Sequence, residues 1–198
     1  YPRVKEKFKM TKRLFLAIKP STPVLTKIAS FQNELKSLLP FRGLRWVQPQ
    51  LMHITLIFLG DVQLSLVSTL KNSLLESRHF TPFSMDYQGL GWFGSPPNIR
   101  TLWVGGKDKN ETRTLYNLFF ERLTFLGLKR EKKFFPHLTL ARISDYVSKS
   151  EREIIQSCFT EKTNQKFGID RVDGFELIES VLTSAGPIYK TLERFSFG

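Results

Sequence analysis

Two histidine-containing motifs of the same form stand 84 positions apart in this chain (137 minus 53). One is His53-Ile54-Thr55-Leu56 and the other is His137-Leu138-Thr139-Leu140. Each lies in an apolar run that is typical of a buried strand, and side chains alternate between the two faces of a strand. His53 is therefore predicted to share a face with Thr55, and His137 with Thr139. We expect the two strands to meet across a cleft.

A pair of histidines flanked by threonines suits phosphoryl transfer between oxygens. The unperturbed imidazole pKa of about 6.5 lies nearest neutrality among side chains. A neutral imidazole can accept a proton from an attacking oxygen, and a protonated one can donate a proton to a leaving oxygen. The transition state also needs donors for its equatorial oxygens, which the threonine hydroxyls could supply. This scheme needs no metal ion or other cofactor.

A single His-x-Thr would indicate only a core or edge histidine, and zinc binding is a further alternative for the pair. A zinc site needs three or four protein ligands. The chain has one more histidine, His79, and no acidic residue adjoins either motif. His79 is predicted to lie in a solvated turn. The repetition of the motif favours catalysis.

Other side chains could bind a nucleotide. Arg142, at the end of the second motif strand, could clamp phosphate with its guanidinium fork, or could be a surface arginine. The aromatic rings of Trp46, Trp103 and Phe15 could stack on a base, although each lies in an apolar run that also suits core packing.

The chain is strongly basic, with a formal net charge of +12. Such a protein is expected to meet a polyanion, most often nucleic acid, although a lysine-rich solvated surface would give the same charge. Arg45, Arg100, Lys132 and Lys133 could form a basic rim, or the last two could belong to a solvated loop. Residues 1–9 hold a charge of +3 and are interpreted as an extension or a tag remnant.

Length and composition suit one domain. The 198 residues are 41% hydrophobic, and residues 10–198 are predicted to form one domain of two similar lobes. The single cysteine, Cys158, allows no disulfide within the chain and favours a reducing, cytoplasmic compartment. No run approaches the roughly 18–20 apolar residues of a membrane span. We expect a monomer.

Apolar residues recur at helical spacing in three segments, 22–39, 63–77 and 111–127, and residues 148–159 are predicted to form a short fourth helix. Short apolar or alternating runs predict strands at 13–18, 44–47, 52–59, 80–90, 99–105, 135–143, 171–182 and 188–197. Tight turns separate several strands, so the interleaved order predicts an α+β fold with a mainly antiparallel sheet. Each half of the chain has a helix, a loop, a motif strand and a second helix.

These segments together resemble the two-histidine phosphoesterase superfamily. Within it, the chain resembles the bacterial and archaeal RNA 2′,3′-cyclic phosphodiesterases, once called 2′-5′ RNA ligases, over residues 12–197. Besides the two motifs, the residues that carry the likeness are Arg13-Leu14-Phe15-Leu16-Ala17-Ile18, Leu44-Arg45-Trp46-Val47, Phe58-Leu59-Gly60-Asp61, Leu102-Trp103-Val104-Gly105 and Gly186-Pro187-Ile188-Tyr189.

The resemblance implies a bilobal α+β fold with a pseudo-two-fold axis and a central cleft that holds both motifs. It implies metal-independent hydrolysis of a 2′,3′-cyclic phosphate, either at an RNA end or in a cyclic nucleotide, to a 2′-phosphate. By motif, His53 and His137 are acid and base, in an order left open, and Thr55 and Thr139 contact the phosphate.

Further roles carry over by the same route. Arg142 is a further substrate contact, and Phe15 lines a base pocket. Members of the group often have a basic residue where this chain has Ile57, which we expect on the same strand face as His53. Reversal toward 2′-5′ ligation and a non-catalytic RNA-binding module are the alternatives.

Overall fold

A computed structural model describes residues 10–130, 134–184 and 186–198. Its strands are β1 (Thr11–Ile18), β2 (Leu44–Trp46), β3 (Ile54–Gln63), β4 (Phe83–Phe93), β5 (Thr101–Lys107), β6 (His137–Ile143), β7 (Lys166–Val172), β8 (Gly174–Thr183) and β9 (Gly186–Ser196). Its helices are α1 (Thr22–Leu38), α2 (Val67–Leu74), α3 (Glu111–Arg122) and α4 (Lys149–Glu161).

Local sequence explains where two of the helices begin. The Ser21 hydroxyl accepts a hydrogen bond from the backbone N–H of Val24 at the start of α1, and a proline occupies the first turn. At the start of α4, Ser148 and Glu151 form a reciprocal capping box. Both helices then bury apolar side chains, and those of α1 are among the residues that the helical spacing predicted.

The strands form one antiparallel sheet in the order β7-β4-β5-β6-β3-β1-β8-β9, and β2 pairs with β6. The two motif strands, β3 and β6, lie side by side at the centre of this order. They are joined by one residue pair, Ile54 with Leu138. Because β2 also pairs with β6, this residue pair divides the nine-stranded sheet into one half of five strands and one half of four, which correspond to the two expected lobes.

The main core lies on one face of the sheet. All four helices contribute their buried side chains to one apolar cluster, together with Leu16, Ile54 and Leu138 from the sheet. Phe15 and Ala17, which alternate with Leu16 along β1, belong to a separate small cluster. The second face of the sheet is therefore left open, and we call it the open face.

The structure confirms the α+β class, the largely antiparallel sheet and the helix–motif–helix order of each half of the chain. Sequence patterning missed β7, because it ran the end of this strand into β8. In fact Asp173 separates β7, at one edge of the sheet, from β8 in the other half. That residues 10–198 fold as one domain stays a prediction.

Two sequence predictions fall outside the described residues. They are the interpretation of residues 1–9 and the contribution of Lys132 and Lys133 to a basic rim. None of the helices in the described ranges has the length and the apolar content that crossing a bilayer requires.

Candidate active site

The antiparallel register brings the two motifs together on the open face. Ile54 and Leu138 are directly paired and fully buried on the core side. Continuing the register by one residue in each direction places His53 opposite Thr139, and Thr55 opposite His137. The two histidines are thus diagonal neighbours, for which a separation of about 7–8 Å is typical. A phosphate group fits between two imidazoles at that spacing.

A β-bulge in each motif strand changes which later residues share this face. Leu16 pairs with Ile57 and Ala17 with Thr55, so Leu56 is an extra residue in β3. In β6 the extra residue is Leu140, because Leu102 pairs with Ala141 and Trp103 with Thr139. A bulge reverses the alternation of faces beyond it.

The consequence is the same in both strands. The fifth residue after each histidine, Phe58 or Arg142, comes onto the open face. Ile57 instead lies in the main core beside Leu16, so the prediction that it shares a face with His53 is wrong. Sequence reasoning did not single out Phe58, although its distance from His53 matches that of Arg142 from His137.

Both imidazoles are held by the same backbone contact. Nδ1 of His53 is 2.8 Å from the carbonyl oxygen of Leu51, and Nδ1 of His137 is 2.8 Å from that of Phe135. A carbonyl oxygen only accepts, so each Nδ1 carries the proton and donates it. In the neutral ring Nε2 is then unprotonated and free to act as a base, or to carry a second proton as an acid.

Partial burial favours the neutral form of both imidazoles. It lowers the pKa of His53 from 6.5 to about 4, and the positive charges of Lys19 and Arg142 act in the same direction. Burial likewise lowers the pKa of His137, again with a contribution from Arg142. An anion bound between the rings would oppose both effects, because a negative charge favours the imidazolium. Substrate binding therefore supplies the condition under which one ring can hold a second proton.

The positive charge of Arg142 acts on several groups of the site. Arg142 is exposed, and its charge influences the pKa of His53, His137 and Tyr189, after burial as the main cause in each case. Within the described residues it has no ion pair or side-chain hydrogen bond, so its five donors are available to a ligand.

Aromatic rings surround His53. The ring of Phe15 lies 4.8 Å from that of His53 and 5.2 Å from that of Tyr189, between centroids. Phe15 is only 3% exposed, whereas its neighbour Phe58 is 59% exposed. Phe15 therefore supports the His53 ring from the sheet side, and a ligand on the open face would meet Phe58 first.

A second aromatic group surrounds His137. The ring of Phe93 lies 4.7 Å from that of His137, and the rings of Trp103 and Phe135 are 4.8 Å apart. A Cβ on Gly91 would lie 2.3 Å from the Trp103 indole, so glycine at this position is what lets the indole lie against the sheet. Trp103 is thus on the open face, as a base-stacking role would require.

The remaining residues singled out from the sequence differ in whether they lie on the open face of the sheet. Trp46 packs against the main core, so its ring is not part of the open face. Arg45 pairs with Arg142 and so lies on the open face. Arg100 is exposed immediately before β5. His79 is exposed as predicted, but it ends a short 3-10 helix (Leu75–His79) rather than lying in a turn. Within the described ranges no cluster of His, Cys, Asp and Glu could hold a metal ion.

Two imidazoles on one sheet face, each with a threonine beside it, define the class of two-histidine phosphoesterases. The family model described as LigT like Phosphoesterase matches residues 18–103 and 107–189, with one motif in each segment. The chain therefore belongs to the LigT-like phosphoesterase family.

Individual relatives agree with this assignment. The RNA 2′,3′-cyclic phosphodiesterase of Archaeoglobus fulgidus is 33% identical over 183 residues, which cover 92% of this chain and 99% of the relative. The RNA 2′,3′-cyclic phosphodiesterase of Aquifex aeolicus is 36% identical over 158 residues, which cover 78% of this chain and 82% of the relative.

Solved structures show the same fold. A protein of Thermus thermophilus superposes with a TM-score of 0.77 at 27% identity, covering 93% of this chain and 97% of its own. Apo LigT of E. coli superposes with a TM-score of 0.73 at 21% identity, and the match covers 95% of this chain and 98% of LigT.

Proposed function

We propose that this protein hydrolyses 2′,3′-cyclic phosphate ends of RNA to 2′-phosphates by general acid–base catalysis with His53 and His137. The observation that supports this most is the matched pair of imidazoles, in each of which Nδ1 donates to a backbone carbonyl, so that Nε2 is the unprotonated nitrogen of the neutral ring. The relatives named as RNA 2′,3′-cyclic phosphodiesterases support the same reaction.

In the proposed reaction, water attacks the phosphorus in line with the bond to the 3′ oxygen. One imidazole takes the proton of the water, and the P–O3′ bond breaks as the new P–O bond forms. The other imidazole, protonated in the complex, gives its proton to the departing 3′ oxygen. The product carries a 2′-phosphate and a 3′-hydroxyl. Either histidine can take either role.

The remaining groups stabilise the charge that develops on phosphorus. We assign Thr55 and Thr139 to the equatorial oxygens, because each lies on the open face opposite the histidine of the other strand. Arg142 supplies a positive charge to the same oxygens. Fixed donors aimed at developing charge are commonly the largest single contribution to catalysis.

The lowered pKa values predict an acidic optimum for kcat/KM, which reports the free enzyme. Activity falls below the pKa of the base, because that imidazole must be neutral. It falls above the pKa of the acid, because that imidazole must be protonated. With His53 near 4 and His137 also below 6.5, the maximum is expected below pH 6.5.

The profile of kcat should be displaced toward higher pH, because bound phosphate raises both pKa values. Initial rates between pH 3.5 and 9, at low and saturating substrate, measure the two profiles. A kcat/KM maximum at or above pH 7 would contradict the lowered pKa values of the imidazoles in the free enzyme.

Phe58 is expected to contribute to substrate affinity. Its exposed ring adjoins Phe15, which in turn contacts the His53 ring, and it can stack on a base, which is worth roughly 1–3 kcal/mol. We expect Phe58→Ala to raise KM by about 5- to 150-fold and to change kcat less. Phe125→Ala, at an exposed phenylalanine in the turn after α3, is the matched control. Equal KM values for the two variants would exclude this role.

One experiment separates the proposed hydrolysis from its two alternatives. An oligonucleotide with a 2′,3′-cyclic phosphate is incubated with the protein, with and without a 5′-hydroxyl oligonucleotide, and the ends are resolved. Hydrolysis yields a 2′-phosphate end, ligation yields a longer 2′-5′-joined product, and an RNA-binding module yields neither. The two-imidazole scheme needs no metal, so we expect the rate to be unchanged by EDTA.

We also infer that the protein acts as a monomer in the cytoplasm. The site is assembled from β3 and β6 of one chain, and the single cysteine, Cys158, suits a reducing compartment. Light scattering at assay concentration tests the first inference, and fractionation of cells tests the second.

A further inference from the structure

A second row of side chains crosses the open face beside the histidines. Register partners run from Arg45 on β2 to Arg142 on β6, then to Thr101 on β5 and Phe93 on β4. Directly paired residues share a face of the sheet. At about 4.8 Å per strand, the row is roughly 14 Å long. It is long enough to contact more than one chemical group of a ligand.

Two like charges stand opposite each other at one end of this row. Arg45 and Arg142 are Cα partners, and both are exposed. Such a pair destabilises a sheet unless something neutralises it. In the part of the chain that the structure describes, neither guanidinium has an ion pair or a side-chain hydrogen bond. The pair is therefore suited to an anion, and the guanidinium fork matches phosphate in particular.

The two arginines have different positions relative to the reacting phosphate. Arg142 is close enough to influence both catalytic imidazoles, whereas Arg45 lies one strand further from β5. A phosphate held between the histidines would occupy Arg142. Arg45 would then remain available to bind a second anion.

Aromatic rings lie at the other end of the row. Phe93 is 38% exposed, and its ring centroid is 5.6 Å from that of Trp103. Phe135, at 44% exposed, adjoins both rings. Exposed rings beside a cationic strip are the usual means of holding single-stranded RNA. The row thus combines a phosphate contact with a stacking surface.

We propose that this row binds the nucleotide that precedes the cyclic-phosphate end, with Arg45 on its phosphodiester and Phe93 against its base. This inference rests on the proposed function and narrows its substrate class to RNA of two or more nucleotides. A 2′,3′-cyclic mononucleotide has one phosphate, which lies between the histidines, so it has no second phosphate that Arg45 could contact.

The test compares kcat/KM on three substrates. They are adenosine 2′,3′-cyclic phosphate, the same compound with a 5′-phosphate, and a trinucleotide with the same cyclic end. The wild type is expected to prefer the trinucleotide to the plain cyclic nucleotide. Arg45→Met should lower that preference by roughly tenfold, as for loss of one exposed charge-assisted hydrogen bond. Arg45→Lys should restore part of it.

The salt dependence gives a second readout. Loss of one phosphate contact to single-stranded RNA should reduce the slope of log kcat/KM against log salt by about 0.7 for the trinucleotide. Lys36→Met is the control, because it removes a positive charge from α1, on the core side of the sheet. It should alter neither the preference nor the slope.

The outcomes separate the inference from the function on which it rests. If the wild type turns over none of the substrates, the proposed function fails. If it turns them over but Arg45→Met leaves the preference unchanged, the function stands and the second subsite is wrong. A 5′-phosphorylated mononucleotide as good as the trinucleotide, and as sensitive to Arg45→Met, would also overturn the assignment to a preceding nucleotide.

Discussion

Replacing either His53 or His137 by Ala is expected to lower kcat by about 10²–10⁴-fold, the usual value of one general acid–base step. Each change removes one free Nε2 and leaves the other imidazole with no partner across the phosphorus. The measurement is the single-turnover rate on an oligonucleotide with a 2′,3′-cyclic end. Because the two rings act on one phosphorus atom, the double variant should lose far less than the product of the two single losses.

The matched control is His79→Ala, since His79 is exposed at the end of a short 3-10 helix and belongs to neither motif strand. Its rate should equal that of the wild type. Thermal unfolding should show that both motif variants remain folded, because each loses about one net hydrogen bond to a backbone carbonyl, worth roughly 1 kcal/mol. Near-wild-type turnover by folded His53→Ala and His137→Ala would remove the basis of the mechanism.

Arg142→Met is expected to lower kcat/KM by roughly 10²–10³-fold, the cost of losing one fixed donor to a developing oxyanion. It should also move the pH profile. Arg142 is one of the charges that lower the pKa of both imidazoles, after burial as the main cause. Its removal lets both pKa values rise, so the kcat/KM maximum should shift to higher pH.

Arg142→Lys separates charge from geometry. Lysine keeps the positive charge but lacks the planar fork, so its pH optimum should stay near that of the wild type while its rate remains low. Equal optima for the Met and Lys variants would show that the charge of Arg142 does not reach the histidines. A wild-type rate for Arg142→Met would exclude the arginine from the site.

Much of this site could be predicted from the spacing of residues within single strands and helices. Strand alternation predicts that His53 lies with Thr55 and His137 with Thr139, and the register of β3 and β6 agrees with it. The helical spacing of Val24, Ile28, Phe31 and Leu35 likewise predicts the buried face of α1. These features depend on residues a few positions apart, whose directions are set by the backbone of one element.

The sheet faces on which Ile57, Phe58 and Arg142 lie could not be predicted in the same way. Simple alternation assigns Ile57 to the face of His53, and the structure assigns Phe58. The difference is the bulged residue Leu56, and Leu140 has the same effect in β6. A bulge is a mismatch between two strands, so its position depends on partners that lie far away in sequence.

The sequence by itself determined the two motifs, the elements that hold them and the class of chemistry they suit, because each of these depends on residue type and local periodicity. Only the tertiary structure decided that β3 and β6 are neighbours, that Phe15 pairs with Phe58, and that Arg45 pairs with Arg142. Those facts follow from strand pairing across long stretches of chain, which the order of residues within one strand does not specify.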